Sequence, residues 1–235
     1  MTEPFNSGID WLAVDAVIFD VDGTLFDHTA LRGPMLASML ARLITRRMRW
    51  RDLQTLRIFR RERERLALAE TGNIGTLQYD RPAAAARRPR HEVEAVIAQW
   101  MVREPLAFVP RYGFPDAARF ITQLHKRAVS TGVFSDYPAH AKLHALGISV
   151  GVVRDATEPD VGWLKPRPDG FIRVAELLRV SPGRCLIIGD RDDRDGEAAR
   201  RGGFMFLRKV AAFGRTRTRA FTHYGGLIAE VEHSR

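Results

Sequence analysis

Cysteine is nearly absent from this 235-residue chain: Cys185 is the single copy. No intrachain disulfide can form, and the composition suits a reducing compartment. The thiol falls inside the apolar run CLIIGD, the setting of a buried structural cysteine rather than of a nucleophile. Long apolar runs are missing too, since nothing approaches the roughly 18 consecutive apolar residues of a membrane helix. The opening MTEPFNSGID lacks the basic start and hydrophobic stretch of a secretory signal, so a cytoplasmic protein with no membrane span is expected. Lysine is scarce: Lys126, Lys142, Lys165 and Lys209 are the only four among 37 basic residues. A net charge of +9 can draw in nucleic acid or anionic lipid. Abundant arginine together with abundant alanine also follows from genome composition alone, so nucleic acid is not the partner expected.

The 45% hydrophobic content suffices for one sizeable core, with or without a smaller accessory domain. Residues 13–19, AVDAVIF, read as a buried strand that ends on the turn signal DVDGT. From Leu31 the apolar residues Leu36, Leu40, Leu43, Ile44, Leu53, Leu56 and Phe59 recur every three or four positions with arginines between them, as amphipathic helices require. Breaks are expected at TGNIG and RPAAAARRPR, with helix again at HEVEAVIAQWMV until Pro105 and Pro110. Beyond Pro115 helix and strand alternate: DAARFITQLHKR, AVSTGVFSD, PAHAKLHALG, ISVGVVRDA, DGFIRVAELLRV, GRCLIIGD and GEAARRGG. Such alternation predicts an α/β fold, a Rossmann-like parallel sheet core whose ligands bind beyond the carboxyl ends of the strands. Three of those ends carry Asp20, Ser135 and Asp190. The expected division is a core of residues 1–27 and 113–235 with an inserted helical cap domain at 28–112, a common way to mount a lid over a site.

The stretch VIFDVDGTLFD drives an apolar strand into two aspartates, and buried carboxylates are costly unless a cation or a catalytic duty compensates them. Taken with VFSDYP, LKPRPDGF and IIGDRDDRDG in that order, each at a strand end or the loop after it, the chain resembles the haloacid dehalogenase superfamily. A cap inserted directly after the first motif resembles the helical-cap, phosphoglycolate phosphatase-like branch. The resemblance implies a phosphoric monoester hydrolase acting on a small phosphorylated metabolite with Mg²⁺. Asp20 would be the nucleophile, forming an aspartyl phosphate, and Asp22 the acid and then the base for leaving group and water. Ser135 and Lys165 would complete the catalytic set. Phosphate contacts would come from Asp22, Gly23, Thr24, Ser135, Asp136 and Lys165. The metal would rest on Asp20, Asp190, Asp195 and the backbone carbonyl of Asp22, with Asp193 a rival to Asp195.

The chain also departs from its family. Asp136 and Tyr137 follow the serine where many members have asparagine, and Arg194 stands where asparagine is frequent. Asp22 argues against dehalogenation, because a halide leaves without a proton. The absence of lysine from residues 28–112 disfavours phosphonate hydrolysis through a cap Schiff base. A sugar phosphomutase remains an alternative, as does an idle scaffold that binds through a basic cap. The cap arginines, Arg46, Arg47, Arg49, Arg51 and the RRERER run from Arg60 to Arg65, read first as a solvated face laced with ion pairs and second as a grip on another anionic group. Within RDDRD, Asp192 and Asp193 are expected to be exposed acids balanced by Arg191 and Arg194.

Overall fold

The computed structural model describes residues 7–45, 48–211 and 218–234. Its centre is a six-stranded sheet in the order β3-β2-β1-β4-β5-β6, with every pairing parallel. The strands are β1 (Ala16–Phe19), β2 (Ser130–Ser135), β3 (Val152–Asp155), β4 (Cys185–Gly189), β5 (Met205–Lys209) and β6 (Ala220–Phe221). A parallel sheet buries both faces, and β1 shows how few residues this takes. Val17 and Phe19 pack into one apolar cluster, while Ala16 and Ile18 pack into another on the opposite face. Cys185 and Ile187 of β4 alternate with Leu186 and Ile188 in the same way. The cysteine is thus a core residue, and burial pushes its thiol pKa up to about 11.

Between β1 and β2 lie α1 (His28–Ile44), α2 (Trp50–Leu68), α3 (Ile74–Ala86), α4 (Arg90–Ile97), a wide π-type stretch over Ala98–Arg103 and the short α5 (Glu104–Leu106). Asp27 starts α1 by accepting the N–H groups of Thr29 and Ala30 on its carboxylate. Leu56, Phe59, Val93, Ile97 and Trp100 form a third apolar cluster among these helices. Helix α3 runs through RPAAAA with Pro82 inside it, so the expected break shrinks to residues 87–89. Alanine-rich sequence favours helix strongly enough to accommodate one missing N–H. The remaining helices are α6 (Ala117–Lys126), α7 (His140–Ala145), α8 (Asp169–Leu178), α9 (Glu197–Gly202) and α10 (Tyr224–His233).

Some boundaries differ from the sequence reading. Residues 11–13 form a 3-10 turn, and β1 begins at Ala16, after Asp15, whose side chain pairs with Arg184. Strand β3 covers only four of the nine residues of ISVGVVRDA. Strands β5 and β6 and helix α10 lie beyond the last element expected from the sequence, GEAARRGG. Tyr224 of α10 is fully buried, its ring packs against Phe120 and Phe221, and its hydroxyl donates to the Thr24 carbonyl at 2.9 Å. The C-terminal helix therefore holds the loop that follows β1. Arg46 and Arg47 lie outside the described residues. No described helix is long and apolar enough to cross a membrane.

Replacing Tyr224 by Phe leaves the Thr24 carbonyl buried without that donor. The expected loss is about 1–3 kcal/mol in urea unfolding; an unchanged midpoint would show that the bond contributes nothing.

Candidate active site

Strand register brings the site together. Phe19 stands beside Val133 on one side and Ile188 on the other, so Asp20, Ser135 and Asp190 emerge at one rim of the sheet. Asp155 ends β3 opposite Ser135 and joins that rim, a fourth polar strand end that the sequence reading passed over. One carboxylate oxygen from each of Asp20, Asp190 and Asp195 lies within 4.8 Å of the others. Lys165, from the loop before α8, donates to Asp20 Oδ1 at 2.5 Å and to Asp195 Oδ1 at 2.6 Å. Thr24 Oγ1 donates to the second Asp20 oxygen at 3.0 Å, and the N–H of Arg191 donates to Asp195 Oδ2 at 3.1 Å.

Two glycines make this crowding possible. Gly23 has φ +98°, and a Cβ there would stand 2.3 Å from Asp190 Oδ2. A Cβ on Gly189 would meet the Asp195 carboxyl carbon at 2.4 Å. Gly23 N–H donates to Phe26 O and Thr24 N–H to Val21 O, so both amides serve the turn itself.

Electrostatics follow from burial. Asp20 has its pKa raised well above the ordinary carboxylate value, by desolvation first and then by Asp195 and Asp190, against the opposing pull of Lys165. Asp190 is pushed up to about 6, again by burial and then by Asp195. Burial disfavours the Lys165 ammonium, but Asp195, Asp20 and Asp136 outweigh it and hold its pKa above the ordinary lysine value.

The other expected residues sit close by in different company. Ser135 is 1% exposed, and its Oγ accepts the Tyr137 N–H at 3.2 Å. Asp136 turns Oδ1 to the Lys165 N–H at 3.1 Å, which ties the loop after β2 to the loop that carries the lysine. The Asp22 side chain stands apart from the three clustered carboxylates: both of its oxygens accept from Lys142 Nζ at 2.6 Å. Asp195, rather than Asp193, joins the acidic cluster, because Asp193 is exposed and paired with Arg191.

Three expectations need correction. Arg194 does more than balance an exposed acid, for its Nε stands 4.0 Å from Asp193 Oδ2 while its main partners lie inward. It is buried, donating to the Lys165 carbonyl at 2.6 Å and to Glu64 of α2. Asp192 pairs with Arg200 instead. The RRERER run is not simply a solvated face, since Glu62 and Arg63 are buried. Arg63 donates to Gln78 and to the Asp136 carbonyl, and its guanidinium lies 4.2 Å from the centre of the Tyr137 ring. Arg49 and Arg51 remain exposed. Lys142, Arg63 and Arg194 were missed as site residues; the scarcity of lysine was the one hint at Lys142.

An acidic cluster at the carboxyl rim of a parallel sheet, with helices inserted after the first strand, is an arrangement suited to a hydrolytic enzyme. A family model described as haloacid dehalogenase-like hydrolase matches residues 14–203, and the chain belongs to that family. It is 27% identical over 201 residues to a glyceraldehyde 3-phosphate phosphatase of Methanopyrus kandleri, covering 83% of each chain. Its fold is similar to that of a 2-haloacid dehalogenase from Pseudomonas syringae pv. Tomato (TM-score 0.63, 20% identity, 93% of this chain and 98% of the other). It is also similar to a HAD phosphatase from Thermococcus onnurineus (TM-score 0.58, 18% identity, 94% and 99%).

An acid whose pKa rises on folding binds its proton more tightly in the native state, so its contribution to stability is present at low pH and is lost as pH climbs. For Asp190 the window runs from the ordinary 3.8 to about 6. Urea unfolding in chelator should show stability falling across that window, and Asp190→Asn should flatten the fall. A slope unchanged in the variant would contradict the assignment.

Proposed function

We propose that the chain is a Mg²⁺-dependent phosphatase that hydrolyses a small phosphomonoester through an aspartyl phosphate on Asp20. The convergence of Asp20, Asp190 and Asp195 beside Lys165 carries this reading. Three hard carboxylate oxygens in one buried volume suit a divalent cation, and the raised pKa values of Asp20 and Asp190 mark the loss of hydration, and then the mutual repulsion, that such an ion would offset. Asp20, Asp190 and Asp195 would hold it, with the Asp22 carbonyl as a further oxygen. When bound, Mg²⁺ supplies positive charge against the repulsion between carboxylate and phosphate.

The chain's own groups then have distinct duties. Asp20 attacks phosphorus while Thr24 steadies its other oxygen. Ser135 and Lys165 donate to the phosphoryl oxygens, and Lys165 also pulls Asp20 toward its ionised form against the burial that raises its pKa. Asp22 protonates the departing oxygen as the ester bond breaks, then takes a proton from the water that cleaves the acyl phosphate. Gly23 and Thr24 shape the loop beneath the phosphate, and Asp136 anchors the Lys165 loop. The resemblance to a glyceraldehyde 3-phosphate phosphatase supports a small phosphorylated metabolite as substrate.

The purified protein should release phosphate from p-nitrophenyl phosphate in Mg²⁺ and not in EDTA, and Asp20→Asn should abolish release. No turnover of any phosphoester, alongside steeply salt-dependent binding of polynucleotide, would instead identify a binding scaffold. Asp22→Asn should slow an alkyl phosphate about 100-fold or more and p-nitrophenyl phosphate far less, because nitrophenolate leaves without a proton. Equal losses on both would remove Asp22 from the acid role.

A further inference from the structure

Lys142 lies on α7, 120 residues from Asp22 in sequence, yet its ammonium bonds both Asp22 oxygens at 2.6 Å. Its side chain is 8% exposed against 22% for Asp22, so the pair is poorly hydrated on the lysine side. The ammonium also stands 5.9 Å from the Phe26 ring centre and 5.8 Å from that of Tyr137. Phe26 follows Asp22 in the loop after β1, and Tyr137 follows Ser135 after β2. One side chain thus joins the loop carrying the acid to the loop carrying the phosphate-binding serine.

Resting on the phosphatase reading, we propose that Lys142 is a positioning residue for Asp22. It fixes the rotation of the carboxyl group on the leaving-group side of the site, away from the three clustered carboxylates, so that one oxygen meets the departing alkoxide. A carboxylate on a short side chain at a turn has free rotation about two bonds, and a misplaced proton donor loses most of its effect. An ammonium that spans both oxygens removes that freedom, and the flanking rings hold the ammonium in turn. In the acid step Asp22, having first taken a proton from solvent water, passes it to the leaving oxygen as the phosphorus–ester oxygen bond breaks and phosphorus bonds to Asp20. Lys142 gives up no proton of its own, and when Asp22 is left ionised the bond between the two persists. A merely structural ion pair would instead support both loops alike and affect every substrate to the same degree.

The test compares glycerol 3-phosphate with p-nitrophenyl phosphate in the full-length protein. Lys142→Met should lower kcat about 100-fold on glycerol 3-phosphate but no more than about fivefold on p-nitrophenyl phosphate. Lys142→Arg, which keeps the charge, should recover most of the difference. In the Asp22→Asn background Lys142→Met should cost nothing further, because residues acting as one unit are not additive. Equal losses on the two substrates, or losses that multiply in the double variant, would overturn the positioning role while leaving the phosphatase reading intact. A wild-type protein inactive on both substrates would sink the phosphatase reading and this inference together. If Lys142→Met does not fold, Lys142→Gln alone and in the Asp22→Asn background makes the same comparison.

Discussion

Charge compensation at one buried rim governs this structure. Three strand-end or near-strand-end carboxylates, Asp20, Asp190 and Asp195, are crowded together at the carboxyl edge of β1 and β4, and only Lys165 among the described residues bridges two of them. Uncompensated, such a cluster would oppose folding, since each ionised carboxylate removed from water costs several kcal/mol. The lysine is itself placed on an aromatic floor, 5.4 Å from the Phe134 ring centre and 5.1 Å from that of Phe171. Hydrophobic packing beneath the sheet rim and electrostatics above it therefore meet at a single ammonium.

That ammonium is held from behind by its own backbone. The Lys165 N–H bonds Asp136, and its carbonyl accepts from Arg194. Each of these partners reaches helix α2: Asp136 through its carbonyl to Arg63, and Arg194 through its guanidinium to Glu64. Arg63 and Glu64 are neighbours in sequence, so two consecutive residues of the inserted helices close a circuit around one residue of the site. A shift of α2 away from the sheet breaks contacts on both sides of Lys165. The arrangement gives the unusual Arg194 a physical role and explains why a run of alternating charges includes buried members.

Much of the site was legible because parallel α/β topology sends every strand in the same direction. Given that rule, strands ending at Phe19, Ser135 and Gly189 had to deliver Asp20, Ser135 and Asp190 to one edge. Lys142 was not legible: it lies in a short helix of ordinary composition, and nothing local distinguishes it from a surface lysine. Arg63 was hidden by its neighbours, since a run of arginine and glutamate has the pattern of a solvated helix and only the docking of α2 selects which face turns inward. The C-terminal helix was missed for a related reason. Its periodicity is short and interrupted by Gly225 and Gly226, while its value lies in one hydroxyl that reaches Thr24 from 200 positions away.

The chain's letters alone determined the strand order of chemistry along the polypeptide: which acids end apolar runs, where helices are inserted, and that Cys185 belongs to a core. These are consequences of local periodicity and of the direction of parallel strands. Tertiary structure alone decided the pairings: Lys165 with Asp20 and Asp195, Lys142 with Asp22, Arg194 with Glu64. Ion pairs depend on distance and on exclusion of water, and both are set by which surfaces the folded chain presses together, not by separation along it.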